Sequence, residues 1–415
     1  MYVGSDPGRH QRDDYHRPQQ PIPLSRKPSA ASEPPLKFNN CVYFSNWSIY
    51  DRKHFATDLP FNSITHVFYA FMKINADTGS VELSDSWADK EIPLPSVLIP
   101  QGKAKGSLLQ FLQLKTKYRH VNVIMSVGGW GTHELFESLV GNPVKLEKFV
   151  TSCMKFVMGY GFDGIDIDWE YPKTEAHAET LLLIIQKLYD RITNICQDSG
   201  SPPLSISIAA PGGSENIKVL KLEKMAEYLS FWNVMCYDFN GEGWSEKTGY
   251  QSNLYGFSGC NNMNVDNVIR QYLDAGISPR KLHLGMPLYG RVFHGVKNPL
   301  LGNSFTKQKV KGCVEQDTVD FNKLPIGIET YYPLIGAVSC YDSRLKQLIV
   351  YDNKQTISMK ANYTKRNNLG GGMWWDSAGD KKGEDSLIKS YLHDLGGTVV
   401  LNKEENHPAS FYKRK

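Results

Sequence analysis

The chain has 415 residues, 41% of them hydrophobic and 12% aromatic, enough for one large domain or two ordinary ones with a sizeable core. Its formal net charge of +4 is small for that length, and no Lys/Arg cluster is interleaved with aromatics, which excludes nucleic acid as the partner. No run approaches the ~20 apolar residues of a membrane span, so no membrane partner is expected.

Seven cysteines without a C-x-x-C pair indicate neither a zinc site nor a disulfide framework, and their odd number fits reduced thiols. Residues 1–37 hold seven prolines and little apolar periodicity, and read as a disordered tail. That stretch has no apolar leader, so the expected location is intracellular, with an extracellular or cell-wall location as the alternative. Sequons at Asn46 and Asn362 do not decide between the two.

From residue 38 short apolar runs alternate with longer amphipathic ones. Strands are predicted at 41–45, 64–71, 121–127, 162–170, 204–210, 232–237, 282–287 and 371–375. Helical patterns cover 108–118, 143–158, 179–196, 266–275 and 358–367, with Pro143 in a first turn and Gly159 and Gly276 at helix ends. Eight such alternations predict an α/β fold, a (β/α)8 TIM barrel over 38–290 and 350–396. The interval 291–349 is too long for one βα connection and carries its own strand pattern at 337–341 and 347–351. It reads as a small α+β insertion domain between strand 7 and helix 7, walling one side of a cleft. Residues 397–415 turn polar again and are expected to fray as a tail.

The fourth strand carries the densest chemistry. As a strand, 162–170 alternates its side chains: Ile165, Ile167 and Trp169 fall on one face, Asp166, Asp168 and Glu170 on the other. Neighbouring carboxylates would lie roughly 7 Å apart, twice the rise per residue. A solvated edge strand could carry such a row, but isoleucines and an aromatic fill the opposite face. A divalent-cation site would need carbonyl or Asn ligands that are not nearby, so no metal is expected. The row therefore reads as catalytic, because coupled acids on a buried face push their pKa values apart. Asp163 has the wrong parity for that face and is given a structural role at the strand's start.

The other strand ends carry polar and aromatic residues, which TIM barrels gather around a ligand. Tyr43, Asn46 and Trp47 follow strand one; Ser126, Gly128, Gly129 and Trp130 follow strand three. Met235, Tyr237 and Asp238 end strand six, Tyr289 and Arg291 follow strand seven, and Trp374 and Trp375 close strand eight. Glycines 128 and 129 are expected to let a ligand approach the backbone. Aromatics converging on one rim suit sugar rings, which stack on flat apolar faces.

Four of these stretches carry a family resemblance. Asp163-Gly-Ile-Asp-Ile-Asp-Trp-Glu170 resembles the D-x-x-D-x-D-x-E signature of glycoside hydrolase family 18, the chitinases. Ser126-Val-Gly-Gly129 is similar to that family's S-x-G-G motif, Met235-Cys-Tyr-Asp238 to its M-x-Y-D motif, and Met286-Pro-Leu-Tyr-Gly-Arg291 to its strand-seven motif. The likeness spans about 38–396 in the family's order and is nearest to fungal chitinases of bacterial type.

The resemblance implies a retaining hydrolysis of internal β-1,4 bonds between N-acetylglucosamine units, in which the substrate's own N-acetyl group is the nucleophile. It implies Glu170 as general acid and then base, and Asp168 as partner of the acetamido N–H. Asp166 would share a proton or hydrogen bond with Asp168, helped by Tyr43 and Ser126. Tyr237 would bind the acetyl oxygen, Asp238 would fix the distorted sugar, and Trp375 would form the floor beneath it. Trp130, and Trp244 with it, would stack on the leaving-group side; Tyr289 and Arg291 would contact hydroxyls; Gly129 and Met235 complete the binding set. The implied partner is chitin or a chitooligosaccharide, with no cofactor and a monomeric chain. Two other readings stand beside it: a chitin-binding lectin on the same scaffold, and an endo-β-N-acetylglucosaminidase acting on glycoprotein glycans.

Overall fold

In the computed structural model, which describes residues 36–256, 263–307 and 317–413, the acidic stretch forms a short strand wholly inside the protein. Ile165, Ile167 and Trp169 pack outward into the main apolar core with the helices; Asp166 and Asp168 face the opposite way. The same alternation repeats around eight parallel strands. These are β1 (Asn39–Ser45), β2 (His66–Ile74), β3 (Asn122–Gly128), β4 (Gly164–Asp168), β5 (Ser205–Ala210), β6 (Phe231–Val234), β7 (Leu282–Pro287) and β8 (Gly371–Trp375). They pair in sequence order, and β8 pairs with β1, so the sheet closes on itself. This is the (β/α)8 barrel expected from the alternation.

A second, smaller apolar cluster fills the lumen, with Tyr43, Phe68, Ile124, Phe231 and Met373 among its members. Helices Gly106–Lys117, Pro143–Tyr160, Glu175–Ser199, Val265–Asp274 and Lys354–Arg366 lie outside the barrel. Asn142 caps the second of these, its side chain accepting from the Lys145 amide, with Pro143 in the first turn. That helix runs past the expected stop at Gly159 to Gly161, whose φ of +75° supplies the left-handed turn.

Strand six is shorter than expected. Its strand pairing ends at Val234; the Met235 amide still bonds the Ala210 carbonyl, and the chain then leaves the sheet through Cys236–Asp238. After β2 the chain adds features without a counterpart in the predicted elements: Val81–Leu83, antiparallel to β2, and a hairpin of Pro93–Pro95 with Lys103–Lys105.

Beyond β7 five antiparallel strands form a separate sheet, in the order Thr318–Asp320, Tyr289–Phe293, Gln347–Tyr351, Ala337–Asp342, Ile328–Tyr332. Its described residues also hold one short 3-10 turn, Phe321–Lys323. Where the sheet returns to the barrel, the buried Asp352 takes Lys360, Ser252 and Thr356 as partners. Those bonds tie the strand 347–351 to the helix 354–366.

The described part of the C-terminal stretch does not fray. Leu401 pairs with Phe38, and the Asn406 amide donates to the carbonyls of Lys115 and Val121. Phe411 is 2% exposed, and the Tyr412 hydroxyl donates to Asp163 at 2.8 Å. The composition hid these anchors because isolated residues, apolar and polar, make them rather than a periodic run. Of the Pro-rich stretch 1–37, expected to be disordered, residues 1–35 lie outside the described residues.

Candidate active site

Register brings the partners of Asp166 together. Parallel pairing sets Ser126 of β3 and Ser207 of β5 directly beside it. The Ser126 and Ser207 hydroxyls each donate to the Asp166 carboxylate at 2.7 Å, and Tyr43 on β1 donates at 2.8 Å. Burial still pushes the carboxyl above its ordinary range, while Ser207, Ser126 and Tyr43 pull it back by bonding the charged form.

One step along β4, Asp168 is 4% exposed and its Oδ1 has no hydrogen-bond partner among the described residues. Burial first, then the charges of Glu170 and Asp166, hold its carboxyl well above the usual range. Glu170 follows at the strand's end, half-buried. Burial pushes it up to about 7, against a hydrogen bond with Tyr171, and the Asp238 charge adds to the rise. Three carboxyls thus stand in file, all with affinity for a proton above that of a free acid.

Tyr237 reaches the same space from the loop after β6. Gly285 on β7 gives it room: a Cβ there would lie 3.1 Å from the Tyr237 ring and 2.2 Å from the Val234 carbonyl. Burial keeps the phenol un-ionised, a donor at neutral pH. Asp238 has φ +59°, a left-handed turn that short polar residues tolerate. Arg291 clamps it through Nε at 2.8 Å and Nη2 at 2.9 Å, and the Tyr289 hydroxyl donates at 2.7 Å. The guanidinium also bonds Asp317 and lies 4.9 Å from the Trp244 ring, which joins the five-stranded sheet to the barrel mouth. Tyr289 and Arg291, expected to face sugar hydroxyls, are thus engaged with Asp238.

The aromatic residues sort by parity. Trp375 belongs to the lumen cluster, stacked on Phe71 at 5.6 Å and edge-on to Tyr43 at 5.4 Å, with Trp47 at 6.4 Å. Trp374 turns outward, fully buried, and donates to Asn40. Trp130, 71% exposed, and Trp244, 50% exposed, stand out into solvent at the rim. Met235 is buried in the lumen cluster.

Glycines 128 and 129 serve the chain itself rather than a ligand's approach. A Cβ on Gly128 would lie 2.1 Å from the Asp168 carbonyl, and one on Gly129 would lie 2.5 Å from the Phe71 ring. The Gly129 amide donates to that same carbonyl at 2.9 Å. Both glycines, at φ +119° and +94°, let β4 and Phe71 close in around Asp168.

Asp163, at the start of the acidic stretch, takes Lys115 at 2.6 Å, the Val123 and His407 amides and Tyr412. It is a structural anchor at the opposite end of the strand from Glu170. Sequence reasoning passed over Ser207, Asn233, Phe71 and Tyr171. Ser207 had the lumen parity within its strand, but only the register between strands shows which residue it meets.

Among the described residues one group has ligand-like spacing: His133, Glu137 and His177 converge within 4.8 Å. The Trp169 indole N–H donates to His133 Nδ1 and the Lys173 amide donates to His177 Nδ1. Both rings therefore keep their proton on Nε2, which faces Glu137. A metal would need those Nε2 lone pairs and a donating Nδ1. The donor set does not fit a metal; it braces Trp169 beside the carboxylate row.

The model of the family described as glycosyl hydrolases family 18 matches residues 39–380. Endochitinase 1 of Metarhizium robertsii is 33% identical over 384 residues, covering 90% of this chain and 89% of that protein. Sporulation-specific chitinase 2 of Saccharomyces cerevisiae is 35% identical over 402 residues, covering 86% of this chain and 78% of that protein. The catalytic domain of the psychrophilic chitinase B from Arthrobacter TAD20 superposes with a TM-score of 0.80 at 24% identity, covering 89% of this chain and 98% of that one. From the span of the family model and the extent of these likenesses, the chain belongs to the glycosyl hydrolases family 18.

Proposed function

We propose that the protein is a chitinase that hydrolyses internal β-1,4 bonds between N-acetylglucosamine units, retaining configuration through attack by the substrate's own N-acetyl group. The observation that carries this reading is the file of carboxyls on β4. Asp166 is bonded as an acceptor on three sides, Asp168 has a buried oxygen without a partner among the described residues, and Glu170 is raised to about 7 at the mouth.

Glu170 protonates the glycosidic oxygen, a task suited to a carboxyl that still holds its proton near neutral pH. The acetyl carbonyl oxygen attacks the anomeric carbon as the leaving sugar departs, and a cyclic oxazolinium ion forms. Asp168 accepts from the acetamido N–H and offsets the developing positive charge, with Asp166 behind it able to take up or share its proton. The trio titrates as a unit, so each proton belongs to the row rather than to one residue. Tyr237 donates to the acetyl oxygen and aligns it for attack. Glu170, now ionised, removes a proton from the water that opens the ring.

Trp375 supplies the apolar floor beneath the reacting sugar, and Trp130 and Trp244 offer stacking faces farther along. Asp238, held by Arg291, and the adjoining five-stranded sheet support a walled groove suited to a linear polymer. The test is turnover of a soluble chitooligosaccharide by the native chain and by Glu170→Gln. Loss of about 10²–10⁴-fold or more with binding retained is expected. Near-native turnover in the variant would overturn the assignment, and binding without turnover in both would favour a lectin.

A further inference from the structure

We propose that His283 and Asn233 are positioning residues for Asp166: a one-way chain of hydrogen bonds rising through the barrel from Asn402 fixes which end of the Asn233 amide faces the Asp166 carboxylate. The inference rests on reading the β4 carboxyls as the site of glycosidic cleavage.

The chain starts beneath the barrel. The Asn402 side-chain nitrogen donates to Asn39 Oδ1 at 3.1 Å, which commits that oxygen and leaves Asn39 Nδ2 facing His283 Nε2 at 3.0 Å. An amide nitrogen only donates, so Nε2 accepts and the ring proton lies on Nδ1. Nδ1 in turn faces Asn233 Oδ1 at 3.0 Å. The Cys41 sulfur, 3.6 Å from the same nitrogen, is a weaker acceptor. With its oxygen occupied, Asn233 turns Nδ2 toward Asp166 Oδ1 at 3.5 Å and the Tyr43 oxygen at 3.4 Å.

Each link sets the direction of the next. His283 and Asn233 are both fully buried, so no solvent competes for their polar atoms. Burial also holds the His283 imidazolium well below its ordinary range, so the ring is neutral and carries one proton. The three hydroxyls on Asp166 can rotate to suit either charge state. The Asn233 amide cannot: reversed, it would put an oxygen against a carboxylate and replace attraction by repulsion. The relay thus favours the ionised form of Asp166 and offsets part of the burial that raises its carboxyl.

Among the described residues, the titratable groups that interact with Asp166 are Tyr43 and Cys41 on β1 and Asp168 on its own strand; Glu170 and Tyr237 interact with Asp168 instead, while His66 on β2 and His283 on β7 pack around Phe231. The phenols and the thiol are all raised by burial, and His66 is lowered to about 4, so none of these carries charge near neutral pH. The acid limb of the pH profile therefore reports the carboxyls.

His283→Leu, which frees the Asn233 amide, is expected to move the acid limb of kcat/KM on a soluble chitooligosaccharide upward by about half a pH unit, the worth of one long hydrogen bond to a carboxylate. We expect kcat to fall about threefold with KM changed less than about twofold. His283→Asn, which keeps a donor toward Asn233, should bring the limb back. Asn39→Leu, which leaves the ring in place but frees its tautomer, should move the limb the same way and serves if His283→Leu does not fold. Nitrogen NMR of the native chain should find His283 protonated on Nδ1.

A proton on Nε2, an unmoved limb in the folded variants, or equal displacement by His283→Leu and His283→Asn would overturn the relay. These outcomes are separable from failure of the cleavage reading. If Glu170→Gln retains turnover the site is misread; if it is inactive while the limb stays put, only the relay falls.

Discussion

Neutralising Glu170 should stabilise the protein while disabling it, by an amount that depends on pH. The carboxyl ordinarily titrates near 4.5 and is held at about 7, chiefly by burial. Below about 4.5 it is protonated in both folded and unfolded chains and has no effect on their balance. Between 4.5 and 7 the folded chain keeps a proton that the unfolded chain has released, so stability declines as pH rises. Above about 7 the cost is complete.

At about 1.4 kcal/mol per pH unit, that interval amounts to about 3 kcal/mol. Glu170→Gln removes the ionisable group and should recover most of it. Unfolding entropy scales to about 0.8 kcal/mol per degree for a chain of this size, so the melting temperature should rise by about 2–4 °C at pH 8. At pH 4 it should not change. Thermal melts of both proteins at the two pH values measure this. A variant no more stable than native at pH 8, or equally stabilised at both, would refute the placement of an ionisable acid in a desolvated site.

Three further outcomes follow from the same geometry. The rate of chitooligosaccharide hydrolysis should fall as pH rises through about 7, because Glu170 must arrive protonated; a profile flat from 6 to 9 would contradict this. Lys115→Met should cost about 3–5 kcal/mol in urea unfolding, since it strands the buried Asp163 charge on which Tyr412 and His407 also dock. Trp375→Ala should raise KM about thirtyfold in steady-state assays, since a sugar face of roughly 80 Å² at about 25 cal/mol per Å² is worth about 2 kcal/mol. An unchanged KM would remove Trp375 from the floor of the site.

Alternation within a strand was the most legible signal, because its period of two is local. It placed Asp166 and Asp168 inside and Ile165, Ile167 and Trp169 outside, and it assigned Asp163 to the structural end of its stretch. Register between strands is not local, so Ser207 and Asn233 were passed over although both face Asp166. The same limit explains the glycines. Gly128 and Gly129 are recognisable as special, but only the fold shows that the Asp168 carbonyl and the Phe71 ring occupy the space a Cβ would need. Arg291 reads from its motif as a sugar contact; the bend at Asp238 that turns it into a clamp depends on a φ no composition reveals. Anchors made of isolated residues, such as Phe411 and Asn406, leave no pattern to read.

The central claim is that the substrate's acetamido group, not water, makes the first attack at the anomeric carbon. Proton NMR of the first product released from a chitooligosaccharide, recorded before mutarotation, tests it most directly. Attack by the acetamido oxygen followed by attack of water on the oxazolinium ion releases the β-anomer, the outcome of two successive displacements. Release of the α-anomer would mean a single displacement by water and would contradict it.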